Sequence, residues 1–172
     1  MISVRPISPH EWQKYRDIRL QALQDAPDAF GSTWAAEAAQ ADDHWSARIA
    51  AAAAASGTDR ALFAVNGEAV CGLVWCKLSV MEPGVADIYQ MWVAPTARGL
   101  GAGRVLLDQA LAWAKSCGTQ RVRLGVTVAD SPAMRLYQSH GFAPVGQPEP
   151  LRAGSALMAQ AMELNWGNSP AG

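Results

Sequence analysis

Apolar and polar positions follow two different periods along this chain, and the change of period divides it into elements. Ile2, Val4 and Ile7 suggest a first strand, after which Ser8-Pro9-His10-Glu11 reads as the start of a helix reaching about Gln24. Within that helix Trp12, Tyr15, Ile18, Ala22 and Leu23 fall on one side and should pack inward, with Leu20 nearer the margin. After Asp25-Ala26-Pro27, a second helical region runs through Glu37 and on from about Asp43 to Ala55, where the alanines from Ala50 onward favour helix but carry no chemistry. The period then shortens. Ala61 to Val65 and Ala69 to Leu78 read as strands joined by a hairpin turn at Asn66-Gly67, and a third strand spans roughly Val85 to Val93. A helix from Gly101 to Cys117, a strand from Arg121 to Val126, a short helix from Pro132 to Ser139, and strands near Phe142 to Gly146 and Ser155 to Leu164 complete the set. Runs of strands with helices inserted between them indicate a mixed sheet flanked by helices. No repeat and no long linker interrupts the pattern, so residues 1–166 read as one domain and Gly167 to Gly172 as a loose tail.

Composition narrows the class. A chain of 172 residues, half of them hydrophobic, can bury a core of ordinary size. No apolar run approaches the ~18 residues of a membrane span, and Met1-Ile2-Ser3-Val4-Arg5 is not the start of a signal peptide, so a cytoplasmic protein with no membrane partner is expected. Cys71, Cys76 and Cys117 are odd in number and lack close pairing, which argues for free, mostly buried thiols. His10, His44 and His140 are scattered, and no metal is expected; the net charge of -1 offers no large field for nucleic acid.

The candidate chemistry starts at Gln90 to Arg104, where an apolar strand runs into a glycine-rich turn and then directly into an amphipathic helix. Gly99, Gly101 and Gly103 lack a Cβ, so the chain can turn sharply and a ligand can approach the backbone. The first helical turn has amides with no intrahelical partner and sits at the positive end of the helix dipole, which makes an anion site. Arg98 adds a charge able to bind phosphate through two hydrogen bonds. A nucleotide P-loop would need Lys-Ser or Lys-Thr where Arg104-Val105 stands, and a dinucleotide fingerprint would need a third glycine where Arg104 stands, so both fail. A tight strand-to-helix turn with no ligand is the alternative. Further on, Asp130 to Phe142 reads as a capped helix with Pro132 in its first turn and Gly141 at its end.

Together these two segments resemble the GNAT superfamily of N-acetyltransferases. The family pattern in the first is Arg or Gln, two residues, Gly, one residue, Gly or Ala, met by Arg98, Gly101 and Gly103. In the second it is Asn, two residues, Ala, two residues, Leu-Tyr, three residues, Gly-Phe; the chain supplies Ala133, Leu136, Tyr137, Gly141 and Phe142, with Asp130 in place of Asn. The segment Arg19 to Thr33 is similar to a subgroup of the same family, so the resemblance extends from Ile2 to about Leu164. It implies a mixed α/β fold: a central, mostly antiparallel six- to seven-stranded sheet with a V-shaped splay, flanked by about four helices. It also implies acetyl-CoA as donor and direct transfer to an amine, most simply a small primary amine or amino-acid-like molecule. A protein lysine or N-terminus as acceptor, and a silent CoA-binding sensor, are the alternatives. Dimers are common in the family, so a homodimer is one expectation.

The resemblance also distributes roles. The backbone from Gly99 through Leu100, Gly101, Ala102 and Gly103 to Arg104 would cradle the pyrophosphate, with Asp130 and Ser131 nearby. The strand residues Met91, Trp92 and Val93 would lie along the pantetheine arm, one main-chain group polarising the thioester carbonyl. Tyr137 matches the general acid; a phenol with pKa near ~10 is protonated at neutral pH and can donate to the leaving thiolate. The alternative for Tyr137 is packing beneath Phe142. An alkylamine must lose a proton before it attacks, and Asp87 falls near the strand position of a catalytic glutamate in some members; a merely solvated carboxylate is the alternative. Phe30, Trp34 and Glu37 are placed near the acceptor opening, Glu37 being a second base candidate or simply an exposed helix carboxylate. Trp45, Trp75 and Trp92 could join Phe30 and Trp34 in lining an apolar cleft, or belong to the core. Asp130 would serve as an N-cap as well as Asn does, and His140 should sit beside the helix end.

Overall fold

The computed structural model describes residues 1–54 and 57–166, so Ala55 and the expected tail lie outside the described residues. The strands are β1 (Ile2–Pro6), β2 (Asp59–Asn66), β3 (Ala69–Leu78), β4 (Val85–Val93), β5 (Arg121–Thr127), β6 (Ala143–Pro144), β7 (Glu149–Pro150) and β8 (Met158–Asn165). The α-helices are α1 (Trp12–Asp25), α2 (Trp34–Ala38), α3 (Asp42–Ala53), α4 (Ala102–Ser116) and α5 (Pro132–Ser139). The sheet runs β1-β2-β3-β4-β5-β8-β6, with β7 also on β8. Every pairing is antiparallel except β4 with β5. The expected mixed sheet is therefore present; the strand expected near Phe142 to Gly146 is the two-residue β6, and the eighth strand is β7, a two-residue piece too short to leave a periodic signal.

Local chemistry accounts for the boundaries. Gly67 adopts φ 64° in the turn between β2 and β3, the left-handed geometry a tight hairpin demands. The long second helical region divides in two, because Thr33 caps α2 by accepting from the Ala36 amide at 3.2 Å and Ala41 is extended before α3 begins with Asp42-Asp43. The first helix opens with a 3-10 turn, Pro9–Glu11, in which the Glu11 carboxylate accepts from the Ser8 amide at 3.0 Å and from Arg5 at 2.7 and 2.8 Å.

Side-chain alternation sends the two faces of the sheet into separate cores. On one face Leu62, Ala64, Val74, Cys76, Ala86, Ile88, Val122 and Leu124 pack against Leu106, Leu107, Ala110 and Ala114 of α4, with Tyr137 of α5 in the same cluster. On the other Phe63, Leu73 and Trp75 pack against Tyr15 of α1 and against Trp45 and Ile49 of α3. Helix α1 therefore lies on the face opposite α4, although its end, Ala22 and Leu23, joins the first cluster. Cys71 and Cys76 are buried and Cys117 exposed, all three as free thiols.

Candidate active site

Among the described residues the one parallel seam, between β4 and β5, is short. Val85, Ala86 and Asp87 pair with Arg121, Val122 and Arg123, and the pairing ends there although both strands continue. Beyond Asp87 the strands diverge, so the main-chain groups of Ile88 to Val93 that face β5 lack a strand partner. This is the expected V.

A bulge in β4 contributes to the divergence. Leu73 pairs with Trp92 and Trp75 with Tyr89, so two steps along β3 face three along β4. The extra residue falls at Gln90-Met91, and Gln90 has φ 59°, the one non-glycine residue with positive φ among the described residues. For an L-residue this conformation costs about 1–2 kcal/mol. The Gln90 side chain is tied down: its Oε1 accepts from the Tyr15 hydroxyl at 2.7 Å.

A cleft of about 50 Å³ opens at this point, lined by Ala29, Phe30, Ile88, Tyr89, Gln90, Met91, Leu124, Gly125 and Tyr137. Tyr137 reaches it from α5 and also packs edge-on to Phe142, with ring centroids 6.0 Å apart, so packing and cleft placement coincide. Burial pushes the Tyr137 phenol well up from its ordinary value, so it holds its proton throughout the neutral range. The mouth of the cleft is stapled. Arg152 donates to Phe30 O at 2.9 Å and Pro27 O at 3.2 Å, and the Thr127 hydroxyl donates to Asp28 O at 2.6 Å.

The glycine turn has the expected backbone. Gly99 and Gly101 adopt φ 81° and 85°, and Gly101 caps α4 so that the amides of Ala102, Gly103 and Arg104 begin the helix. Gly103 serves packing instead: a Cβ there would stand 3.3 Å from Leu136 Cδ2 and 3.7 Å from Val93 Cγ2, which lets the start of α4 approach α5. Leu100 and Arg104 are exposed. The backbone thus fits a pyrophosphate. Arg98 is exposed, and its Nε donates to Val93 O at 3.1 Å and its Nη2 to Asp25, so part of its guanidinium is engaged within the protein. Asp25 also accepts from Trp92 Nε1 at 3.0 Å, tying the end of α1 to this turn. The carbonyl of Val93 is occupied, while Met91 lies at the free edge.

Four further expectations change. The N-cap of α5 is Ser131, whose hydroxyl accepts from the Met134 amide at 3.1 Å, and not Asp130; the Asp130 carboxylate is exposed and pairs with Arg135 at 2.7 Å. Glu37 is not an exposed carboxylate. It is buried and accepts from Arg19 at 3.1 and 2.7 Å and from Arg48 at 3.3 Å. Burial raises its pKa, but the hydrogen bond and charge of Arg19, with Arg48, outweigh that and hold it below the usual value. Of the five aromatic candidates only Phe30 lines the cleft: Trp45, Trp75 and Trp92 are core residues, and Trp34 is exposed on α2. Asp87 sits at the root of the V and accepts from Arg123 Nε at 3.3 Å, so it is paired and not merely solvated. His140 does close α5, its Nδ1 3.0 Å from Leu136 O and its Nε2 2.8 Å from Asp108. Among the described residues no helix is long and apolar enough to cross a membrane, and no group of metal-ligating side chains is present.

Sequence reasoning missed Arg19, Arg48 and the role of Gln90. Arg19 carried a signal, since positions 15, 19, 22 and 23 share one helical stripe. It is only 4% exposed, stacks on the Phe30 ring at 4.8 Å, and leaves its Nη1 without a hydrogen-bond partner.

Comparison with known proteins bears on the family and the fold. The sequence profile described as "Acetyltransferase (GNAT) family" matches residues 12–142. A mycothiol acetyltransferase from Beutenbergia cavernae is 38% identical over 77 residues, which are 45% of this chain and 25% of that protein. The chain thus spans about a quarter of the length of the mycothiol acetyltransferases it matches. A GNAT-family acetyltransferase from Streptococcus pneumoniae superposes with a TM-score of 0.80 at 19% identity, covering 96% of this chain and 99% of that one. An acetyltransferase from Salmonella typhimurium, solved with acetyl-CoA, gives 0.79 at 18% identity, covering 99% and 96%.

Proposed function

The chain belongs to the GNAT acetyltransferase family, and from that premise we propose that it transfers an acetyl group from acetyl-CoA directly to a primary amine of a small molecule or amino-acid-like substrate. The observation that carries this reading is Tyr137, a buried phenol lining the cleft where the free edge of β4 passes. The glycine turn and the first amides of α4 would hold the pyrophosphate. The Met91 main chain, turned outward by the bulge, would donate to the thioester carbonyl oxygen as charge builds there.

The neutral amine attacks the thioester carbon, forming the C–N bond, and the C–S bond then breaks. Tyr137 gives its proton to the departing sulfur. The proton from the amine passes to Asp87 or, through water, to solvent. Asp87 is proposed as base for its place at the root of the V, and its Arg123 partner holds the carboxylate there. Glu37 is assigned no proton transfer, because two arginines occupy both its oxygens and lower its affinity for a proton; its proposed part is to shape the acceptor side together with Phe30.

The stapled mouth supports a compact acceptor over an extended peptide, since the loop from Pro27 to Phe30 is bound to both β5 and the segment around Arg152. The decisive experiment is thiol release from acetyl-CoA against amines, amino acids and short peptides, with cofactor binding measured by calorimetry. Turnover on a small amine is expected. Turnover on peptides alone would overturn the acceptor class, and tight CoA binding without turnover on any acceptor would favour a sensor.

A further inference from the structure

We infer that Tyr15 is a positioning residue for the transfer reaction: through the hydrogen bond from its hydroxyl to Gln90, it holds the β4 bulge in the left-handed conformation that turns the Met91 main chain into the cleft. This rests on the acetyl-transfer reading, although the restraint itself is a property of the free protein.

The direction of each hydrogen bond is fixed by the groups involved. Arg48 Nη1 lies 3.2 Å from the Tyr15 oxygen and can only donate, so the Tyr15 hydroxyl hydrogen is left for Gln90 Oε1 at 2.7 Å. The ring cannot swing away. Tyr15 is fully buried, and Trp45 and Trp75 pack against it with centroids at 5.7 and 5.6 Å. Burial raises the Tyr15 phenol while Arg48 opposes that, and the net rise keeps the donor protonated at neutral pH.

Arg48 is held in turn by Glu37 at 3.3 Å and by His44 at 2.8 Å, and Glu37 by Arg19. The bulge is therefore gripped from α1, α2 and α3 together, the whole layer opposite α4. Glutamine has no intrinsic preference for positive φ, unlike glycine or asparagine, so the side-chain anchor is what selects this conformation over a regular strand. A regular strand at this point would shift the register of Met91 by one residue and send its main chain to the other edge.

The test is a double-mutant cycle with two readouts. In Tyr15→Phe, which keeps the ring, amide hydrogen exchange across Gln90 to Val93 should accelerate about tenfold in the free protein, the weight of one lost hydrogen bond. With an acceptor that turns over, kcat should fall by a similar factor while KM for acetyl-CoA stays within about twofold. In a Gln90→Gly background, where no anchor exists to lose, Tyr15→Phe should change both quantities by less than about twofold. Unchanged exchange in Tyr15→Phe, or equal losses in both backgrounds, would overturn the inference. Faster exchange in a protein whose wild type turns over no acceptor would support the restraint and refute the transfer reading.

Discussion

Replacing Glu37 with glutamine removes the one negative charge that two buried or half-buried arginines share. Glu37 and Arg19 have side chains only 9% and 5% exposed, and three hydrogen bonds from guanidinium groups end on the two carboxylate oxygens. Glutamine presents one acceptor and one NH₂ donor, so an arginine N–H would face another donor. Arg19 Nη1 already lacks a partner, which leaves that guanidinium with no reserve. Breaking a buried ion pair from one side costs about 3–5 kcal/mol, mainly because the remaining charge stays buried. For 172 residues, unfolding entropy implies about 3 °C in Tm per kcal/mol, hence a drop of roughly 9–15 °C.

Thermal unfolding followed by circular dichroism, with urea titration for the free energy, measures this directly. The pH dependence has a definite sign. Because the Glu37 pKa is lowered in the fold, its contribution is present above the unfolded carboxylate value and lost as pH falls through the lower folded one. Wild type should therefore lose stability on acidification more steeply than Glu37→Gln. The double variant Arg19→Met with Glu37→Leu, which removes both charges, should recover more than half of the loss. A single variant within about 1 kcal/mol of wild type would refute the argument, as would a double variant no better than the single.

Tyr137→Phe should lower kcat by about 10²–10⁴-fold while leaving acetyl-CoA affinity nearly intact; an unchanged kcat would remove Tyr137 as the acid. Gly101→Ala forces a Cβ onto φ 85° and should cost about 1–2 kcal/mol in stability and weaken CoA binding in calorimetry; an unaltered melting curve would contradict the left-handed cap. Glu11 is held at about 2, from 4.5, first by the hydrogen bond from Arg5. Its contribution is present above about 4.5 and lost as pH falls toward 2. Arg5 is 43% exposed, so the expected size is discounted to about 1 kcal/mol. Urea titrations from pH 5 to 2 should show a shallower acid limb in Glu11→Gln, and identical limbs would exclude the pair as a source of acid sensitivity.

Much of the frame could be read from local pattern. The bounds of β4 and α5 match the expectation residue for residue, since each is set by neighbouring signals: the apolar run into the glycine turn, and Pro132 with Gly141. What escaped depends on contacts distant in sequence. Glu37 looked solvated because its partners stand 18 and 11 residues away, and Gln90 looked like an ordinary strand residue because its anchor is 75 residues away. Asp130 and Ser131 are both good caps, and composition alone does not choose between adjacent candidates. The short β7 strand has no period to read.

The brevity of the β4–β5 seam divides the molecule in a way that its continuous sheet conceals. On one side β1 to β4 form an antiparallel meander, on the other β5 to β8 form a second ribbon, and three residue pairs are the whole strand contact between them. Arg123 pairs with Asp87 and Glu82 and Arg121 pairs with Glu82, so three ion pairs act as rivets across that joint, while Arg121 with Glu163 ties β5 to β8 within the second plate. Such a sheet behaves as two plates on a hinge: each plate is stiffened by its own ladder, and compliance concentrates at the joint. The angle between the plates, and with it the width of the cleft, is then sensitive to a few charged side chains at the joint, Asp87 among them, and raising the salt concentration softens the hinge before it softens either plate.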